Sequence, residues 1–260
     1  MEQPIGILIV GLAAGVLSGL FGIGGGVVIV PVLVTFFGFG LKEAVGTSLA
    51  ALLMPVGIFA VIAYYRAGKL KILIALWVAL GLAAGALLGA QIALGLDVDL
   101  LQKSYAVFLL YVGWRFAEPR KIYAQWRSKT PAPVVPDREP RTTTWYVLLG
   151  LGFGAGILSG LFGVGGGIII VPALVGLLHF DQKLASGTSL GALLLPVGLG
   201  ATVSYYEAGL LDVGAAVLVA IGLTVGALGG ARIALGMSSA NVKRLYGLFL
   251  LAVAARFLFF

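Results

Sequence analysis

Two clusters of glycine are the residues in this chain whose type and spacing most clearly suit chemistry. Gly22-Ile23-Gly24-Gly25-Gly26 interrupts an apolar run, and Gly163-Val164-Gly165-Gly166-Gly167 repeats the interruption. Consecutive glycines break a helix because they expose backbone and accept unusual torsions. A helix that restarts after such a break offers free N–H groups and about half a positive charge, which attract anions. In a membrane the break must face protein or water, and paired breaks at equivalent positions point to a solute site near the midplane. Gly24, Gly25, Gly26, Gly165, Gly166 and Gly167 are therefore candidate binding residues. The competing reading is helix packing through small residues. It suits the regularly spaced Gly11/Gly15/Gly19, Gly81/Gly85/Gly89 and Gly222/Gly226/Gly230, but explains consecutive glycines poorly.

Polar residues inside the apolar runs add further candidates. Thr47-Ser48 and Thr188-Ser189 could offer hydroxyls to an oxyanion, or bond their own helix backbone instead. Gln91 and Arg232 occupy equivalent positions, and Arg232 is the charge set deepest in an apolar segment. An intramembrane charge is a functional candidate, with snorkelling to the nearby interface as the alternative. His179 lies beside Asp181 in a predicted loop and reads as solvated. Gly187-Thr188-Ser189-Leu190-Gly191 matches the G-x-S-x-G elbow of serine hydrolases, which makes an intramembrane hydrolase the rival class. Against it, the segment follows no strand, its first-half copy ends in Ala50, and no histidine is placed to act as base.

The elements that position these residues are helices in lipid. Hydrophobic residues make up 60% of the chain and charged residues 10%, where soluble domains carry roughly 25% charged. Several runs reach the ~20 apolar residues that span hydrocarbon. The net charge of +7 sits in short loops between apolar segments, as cytoplasmic loops do under the positive-inside bias, so nucleic acid is not the expected partner. There is no cysteine and one histidine, so the sequence calls for no disulfide, metal or cofactor. Met1-Glu2-Gln3-Pro4 lacks the basic start of a cleavable signal, so the first apolar segment is expected to be retained.

The chain is a duplication. Leu17-Ser18-Gly19-Leu20-Phe21-Gly22 recurs as Leu158-Ser159-Gly160-Leu161-Phe162-Gly163, and the same offset carries Pro31 onto Pro172, Pro55 onto Pro196 and Tyr64-Tyr65 onto Tyr205-Tyr206. Each half reads as a glycine-broken hairpin, re-entrant or short-helix (about 5–39 and 146–178), followed by three apolar helices: 42–65, 70–95 and 100–117, then 184–206, 211–236 and 241–259. Residues 1–117 form the first repeat and 145–260 the second. Between them, 118–144 carries Arg and Lys among Pro131, Pro133, Pro136 and Pro140, a wet linker. Equivalent loops carry opposite charge. Arg66-Ala67-Gly68-Lys69-Leu70-Lys71 is basic and Glu207-Ala208-Gly209-Leu210-Leu211-Asp212 is acidic, while Asp97-Val98-Asp99 matches a segment closely followed by Lys243-Arg244. Opposite placement across the membrane explains the reversal. The expected fold is an all-α polytopic membrane protein of two inverted-topology repeats, with 66–71, 118–144 and 237–244 cytoplasmic. Tyr64, Tyr65, Trp77, Trp114, Trp145 and Tyr146 are expected at the headgroups.

The doubled run from Ser18 to Gly26 with Pro31, and from Ser159 to Gly167 with Pro172, resembles the TauE/SafE sulfite-exporter family, also called the toluene-sulfonate uptake permease family. Gly-Thr-Ser at 46–48 and 187–189 and Tyr-Tyr-x-Ala-Gly at 64–68 and 205–209 extend the resemblance over both halves. It implies transport, in the cell (inner or plasma) membrane, of a sulfur-containing anion such as sulfite, a sulfonate, sulfoacetate or thiosulfate. The expected mechanism is alternating access of the two repeats around a midmembrane site. Passive export fits the scarcity of midmembrane carboxylates, since an anion leaving a negative-inside cell gains about 2.3 kcal/mol per charge per 100 mV. Coupled uptake of organosulfonates, with Na+ or H+ as the coupling ion, is the alternative. Because the chain lacks cysteine, single cysteines report topology cleanly. Ala67→Cys should react with an impermeant thiol reagent from the cytoplasmic side only and Ala208→Cys from the opposite side only; labelling of both from one side contradicts the inversion.

Overall fold

The computed structural model describes residues 2–117 and 144–236, and every regular element among them is a helix. The expected linker up to Thr144, the loop at 237–244 and the helix at 241–259 lie outside the described residues. The first half contains α1 (Glu2–Phe21), α2 (Gly26–Phe37), α3 (Leu41–Leu53), α4 (Ile58–Arg66), α5 (Ile72–Gly95) and α6 (Val98–Ala117). The second contains α7 (Trp145–Phe162), α8 (Gly167–Leu177), α9 (Gln182–Leu193), α10 (Leu199–Glu207) and α11 (Val213–Gly236). Helices α1, α5, α7 and α11 are each long and apolar enough to cross a membrane, and α3 with α4 makes a bent span. Large apolar side chains cover their outward faces, with Leu73 67% and Val225 62% exposed. Such a surface is stable only against hydrocarbon. The architecture is that of a polytopic membrane protein.

The hairpins form as the glycines dictate. In α2 and α8, helices of 12 and 11 residues, the length is about 16–18 Å at 1.5 Å per residue, half of a membrane core. One element differs from the sequence expectation. The helices expected at 42–65 and 184–206 are each broken, into α3 and α4 and into α9 and α10. Pro55 and Pro196 lack the N–H that would continue the helix, and their rings clash with the preceding turn. Tight turns replace it: Val56 N–H donates to Met54 O at 2.6 Å and Val197 N–H to Leu195 O at 2.7 Å. The α3 and α4 axes differ by 51°.

Glycine stripes hold the long helices together. Gly11, Gly15 and Gly19 of α1 lie against the backbone of Val219, Leu223 and Ala227 of α11, and Gly222, Gly226 and Gly230 return the contact to Leu8, Leu12 and Val16. The positions climb together, so α1 and α11 run parallel. Gly81, Gly85 and Gly89 of α5 meet Leu149, Phe153 and Ile157 of α7 in the same way, so that pair is parallel too. At each of these glycines a Cβ would overlap a facing carbonyl, which is how small residues let membrane helices approach.

Two buried tyrosines of the bundle are spent on backbone. Tyr64 is fully buried and donates to Gly19 O at 3.0 Å, and Tyr205 donates to Gly160 O at 3.1 Å. Tyr64 is thus a core residue and not part of an interfacial belt, because its hydroxyl satisfies a carbonyl that packing has removed from other donors. Tyr65, Trp114, Trp145 and Tyr146 are exposed, and Trp77 leans on Trp145 with ring centroids 5.6 Å apart. Lys42 Nζ donates to Leu94 O and Leu96 O at the end of α5, and Lys183 Nζ to Leu235 O at the end of α11. Cations there satisfy orphan carbonyls and oppose the negative helix end. Helix α6 belongs to a second compact unit, in which the Tyr105 and Phe108 rings stack 6.5 Å apart.

Gly85 faces the Phe153 carbonyl, whereas Gly154 on α7 faces open space. Gly85→Leu is expected to cost about 3 kcal/mol or more by overpacking. Gly154→Leu should change stability by no more than about 1 kcal/mol, helix propensity being its main effect. Thermal unfolding in detergent reads both; equal loss at the two positions contradicts the packing.

Candidate functional site

Gly25 and Gly166 start the half-helices α2 and α8 in left-handed backbone, with φ of 83° and 76°. Glycine is the residue that adopts this conformation without strain. Gly26 packs directly on the Gly163 carbonyl and Val164, and Gly167 on the Gly22 carbonyl and Ile23. The two hairpins therefore meet backbone to backbone, and a side chain at either position would part them.

The breaks leave a run of buried donors in each hairpin. Val28 and Ile29 donate to Gly25 O, and Ile169 and Ile170 donate to Gly166 O. No backbone carbonyl among the described residues accepts from the N–H groups of 23–27 or of 164–168, and all ten residues are buried. A buried N–H without an acceptor costs about 1–3 kcal/mol, so two such runs form a cradle suited to an anion.

A small cavity of about 30 Å³ opens beside them. Matched residues of the two halves line it: Ser18 with Ser159, Gly24 with Gly165, Leu49 with Leu190, Leu52 with Leu193, Val56 with Val197, and Gly57 with Gly198, plus Ala86. Gly57 precedes α4 and Gly198 precedes α10. Four helix N-termini, those of α2, α8, α4 and α10, thus border one cavity, each worth about half a positive charge. No lining residue is charged, and the polar side chains in the wall are the Ser18 and Ser159 hydroxyls.

The residues singled out from sequence distribute unevenly. Gly24 and Gly165 line the cavity; Gly25, Gly26, Gly166 and Gly167 shape the hairpins behind it. Ser48 Oγ donates to Gly163 O at 2.8 Å and Ser189 Oγ to Gly22 O at 2.7 Å. Both are fully buried, and each ties its helix to the hairpin of the other half. Thr47 Oγ1 accepts from Asp212 N–H at 3.0 Å and Thr188 Oγ1 from Lys71 N–H at 3.2 Å, again across the halves. Gln91 donates to Ser204 Oγ at 2.9 Å. Gln91 and Arg232 are exposed and are not among the lining residues. The wall residues Ser18 and Ser159 were not among the sequence candidates, and the breaks before α4 and α10 were not expected. The signal for those breaks was present in Pro55-Val56-Gly57 and Pro196-Val197-Gly198.

Charge lies at the helix ends. Asp181 caps α9, accepting from Lys183 and Leu184 N–H, and pairs with Lys69 at 2.8 Å. Partial burial pushes its carboxyl up, but the Lys69 ammonium and the two N–H donors outweigh this and hold it below its ordinary value. A lowered carboxylate stabilises the fold at neutral pH, and that contribution is lost as pH falls through its folded-state value. His179 is half-buried and left-handed, with φ of 56°, where the first half has Gly38 at 74°.

Comparison with known proteins settles the family. The profile described as Sulfite exporter TauE/SafE matches residues 7–257. The chain belongs to the TauE/SafE family. Its relatives include a probable membrane transporter protein of Methanocaldococcus jannaschii, 32% identical over 213 residues that cover 78% of this chain and 72% of the relative. Two probable membrane transporter proteins of Bacillus subtilis, YunE and YdhB, are each 28% identical, covering 73% and 87% of this chain and 73% and 88% of their own. No solved structure matches the chain significantly. This TauE/SafE protein is a multi-pass membrane transporter.

Two classes of serine follow from the geometry. Ser48→Ala should cost about 1–2 kcal/mol of stability, because it strands a buried carbonyl. Ser18→Ala, in the cavity wall, should change stability by less than about 0.5 kcal/mol. Denaturant or thermal unfolding of the two variants checks this; the reverse order contradicts the assignment.

Proposed function

We propose that this TauE/SafE transporter moves a small sulfur-containing anion, such as sulfite, thiosulfate, sulfoacetate or another sulfonate, and binds it in the cavity between the two glycine hairpins. The observation that carries the reading is the convergence of four half-helix N-termini on a cavity without a charged side chain. Backbone donors of fixed geometry suit a multi-oxygen anion. The N–H groups around Gly24–Gly26 and Gly165–Gly167 supply the cradle, and the Ser18 and Ser159 hydroxyls complete the wall. Thr47, Ser48, Thr188 and Ser189 act on the site at one remove, by fixing the hairpins and loops. Gln91 and Arg232 serve nearer the helix ends.

Alternating access in this reading uses two inverted repeats, and the helix directions support it. Within the first half, Gly6 at the start of α1 meets Phe37 at the end of α2, and Lys42 at the start of α3 reaches the end of α5, contacts that fit an α5 opposed to α1. Helix α7 packs parallel to α5, which supports a second half that runs opposite to the first. The loops agree: the one before α5 reaches Asp181 and Thr188, whereas its counterpart before α11 reaches Thr47. We assign the basic loop 66–71, the linker 118–144 and the segment 237–244 to the cytoplasmic face of the cell (inner or plasma) membrane.

Facilitated export is the preferred direction. No lining residue is a carboxylate able to relay protons, and the membrane potential alone drives an anion outward. The chain is not a hydrolase in this account. Ser189 sits within α9, and its hydroxyl is committed to the Gly22 carbonyl.

The test is flux into liposomes holding the pure protein under an imposed potential. At least one of sulfite, thiosulfate, sulfoacetate and methanesulfonate should show saturable movement that follows the potential. Leu193→Trp, which fills the cavity, should cut that flux more than tenfold with the unfolding midpoint nearly unchanged. Saturable flux of none of the four, or full flux in the filled variant, overturns the proposal.

A further inference from the structure

The cavity wall is built from matched residues of the two halves, so a departure from matching near it decides what the site distinguishes. Thr202 is such a departure, since its equivalent in the first half is Val61. It lies one helical turn beyond Gly198 on the same face of α10, and residues four apart on a helix are neighbours. Gly198 lines the cavity and carries no side chain to screen what lies behind it. A methyl group built on Gly198 would sit 4.0 Å from Thr202 Oγ1 and 3.9 Å from Leu49 Cδ2, itself on a wall residue.

The Thr202 hydroxyl is buried and has no hydrogen-bond partner among the described residues, although the residue is only 8% exposed. A helical hydroxyl ordinarily bonds the carbonyl four residues back. Ser204 does so with Gly200 O at 3.1 Å, and Thr224 with Ala220 O at 2.8 Å. Thr202 does not. Buried donors without partners are rare enough to call for a functional account. At the same end of α10, the N–H groups of Gly198, Gly200 and Ala201 donate to no backbone carbonyl among the described residues.

We propose that Thr202 is a specificity-determining residue whose hydroxyl donates to the transported anion beside the N-terminus of α10. This makes the second half the side that grips an anion oxygen, while Val61 offers the first half only apolar contact. An anion in the pseudo-symmetric cavity is therefore held in one orientation. The inference rests on the proposed anion site.

The test is isothermal titration of the full-length protein in detergent with sulfite, thiosulfate, sulfoacetate and methanesulfonate, followed by the same titration of variants with the anion bound tightest. Thr202→Val should weaken binding about tenfold or more, as expected for a lost hydrogen bond to a charged group. Thr202→Ser, which keeps the hydroxyl, should stay within about threefold. The valine variant should unfold at the same temperature or higher, because it removes an unpaired buried donor. Thr202→Ala gives the same reading should the valine variant fail to fold. Wild-type binding with unchanged affinity in Thr202→Val and Thr202→Ala overturns this inference alone. Failure of the wild type to bind any of the four overturns the anion site and this inference with it.

Discussion

A helix that stops inside a membrane leaves N–H and C=O groups that hydrocarbon cannot satisfy, and each unsatisfied group costs several kcal/mol. Among the described residues this chain stops four times, after α1, α3, α7 and α9. Much of the remaining structure shelters those stops. The parallel pairs of α1 with α11 and α5 with α7 bury the hairpins behind helices that approach backbone to backbone. Ser48 and Ser189 each satisfy a carbonyl at the opposite hairpin break, and Tyr64 and Tyr205 satisfy carbonyls one turn before the breaks. The carbonyls at the breaks thus find protein donors. Among the described residues the N–H groups of 23–27 and 164–168 find no backbone acceptor, and in the proposed reading that imbalance makes the cavity attractive to an anion without any lysine or arginine in its wall.

The neutrality of the wall has a consequence for transport. A buried cationic side chain would hold an anion strongly, whereas conduction needs binding that can also be released. Dipoles of helix ends are weaker than full charges and fall off within a turn. In the proposed mechanism, an anion held by them is released when the bordering half-helices move apart. The inverted repeats of that proposal would provide two equivalent ways of moving them, one opening toward each side. The matched lining of Ser18 with Ser159 and Leu52 with Leu193 suits a site that must serve both openings.

Much of this was legible in the sequence, for identifiable reasons. The hairpin breaks were readable because three glycines in succession cannot continue a helix in either half. The glycine stripes at 11/15/19 and 81/85/89 were readable as packing faces by their spacing of four. The breaks before α4 and α10 were not, because one proline in an apolar run reads as a kink that membrane helices tolerate; only the nearby Gly57 and Gly198 marked a full stop. Tyr64 reads as an interfacial aromatic by composition, and its burial depends on the position of the Gly19 carbonyl in another helix. Ser48 and Ser189 show the same limit. Their bonds reach across the halves, and no local pattern encodes a partner more than a hundred residues away.

The central claim is that backbone N–H groups at converging helix ends hold the anion. The most direct measurement is an experimental structure of the protein with selenite in place of sulfite, the selenium located by its anomalous scattering. The account predicts one selenium site in the cavity between Gly24 and Gly165, with its oxygens in hydrogen-bond reach of N–H groups of the two hairpins. Selenium bound at Arg232 or Lys69 with none in the cavity would contradict it.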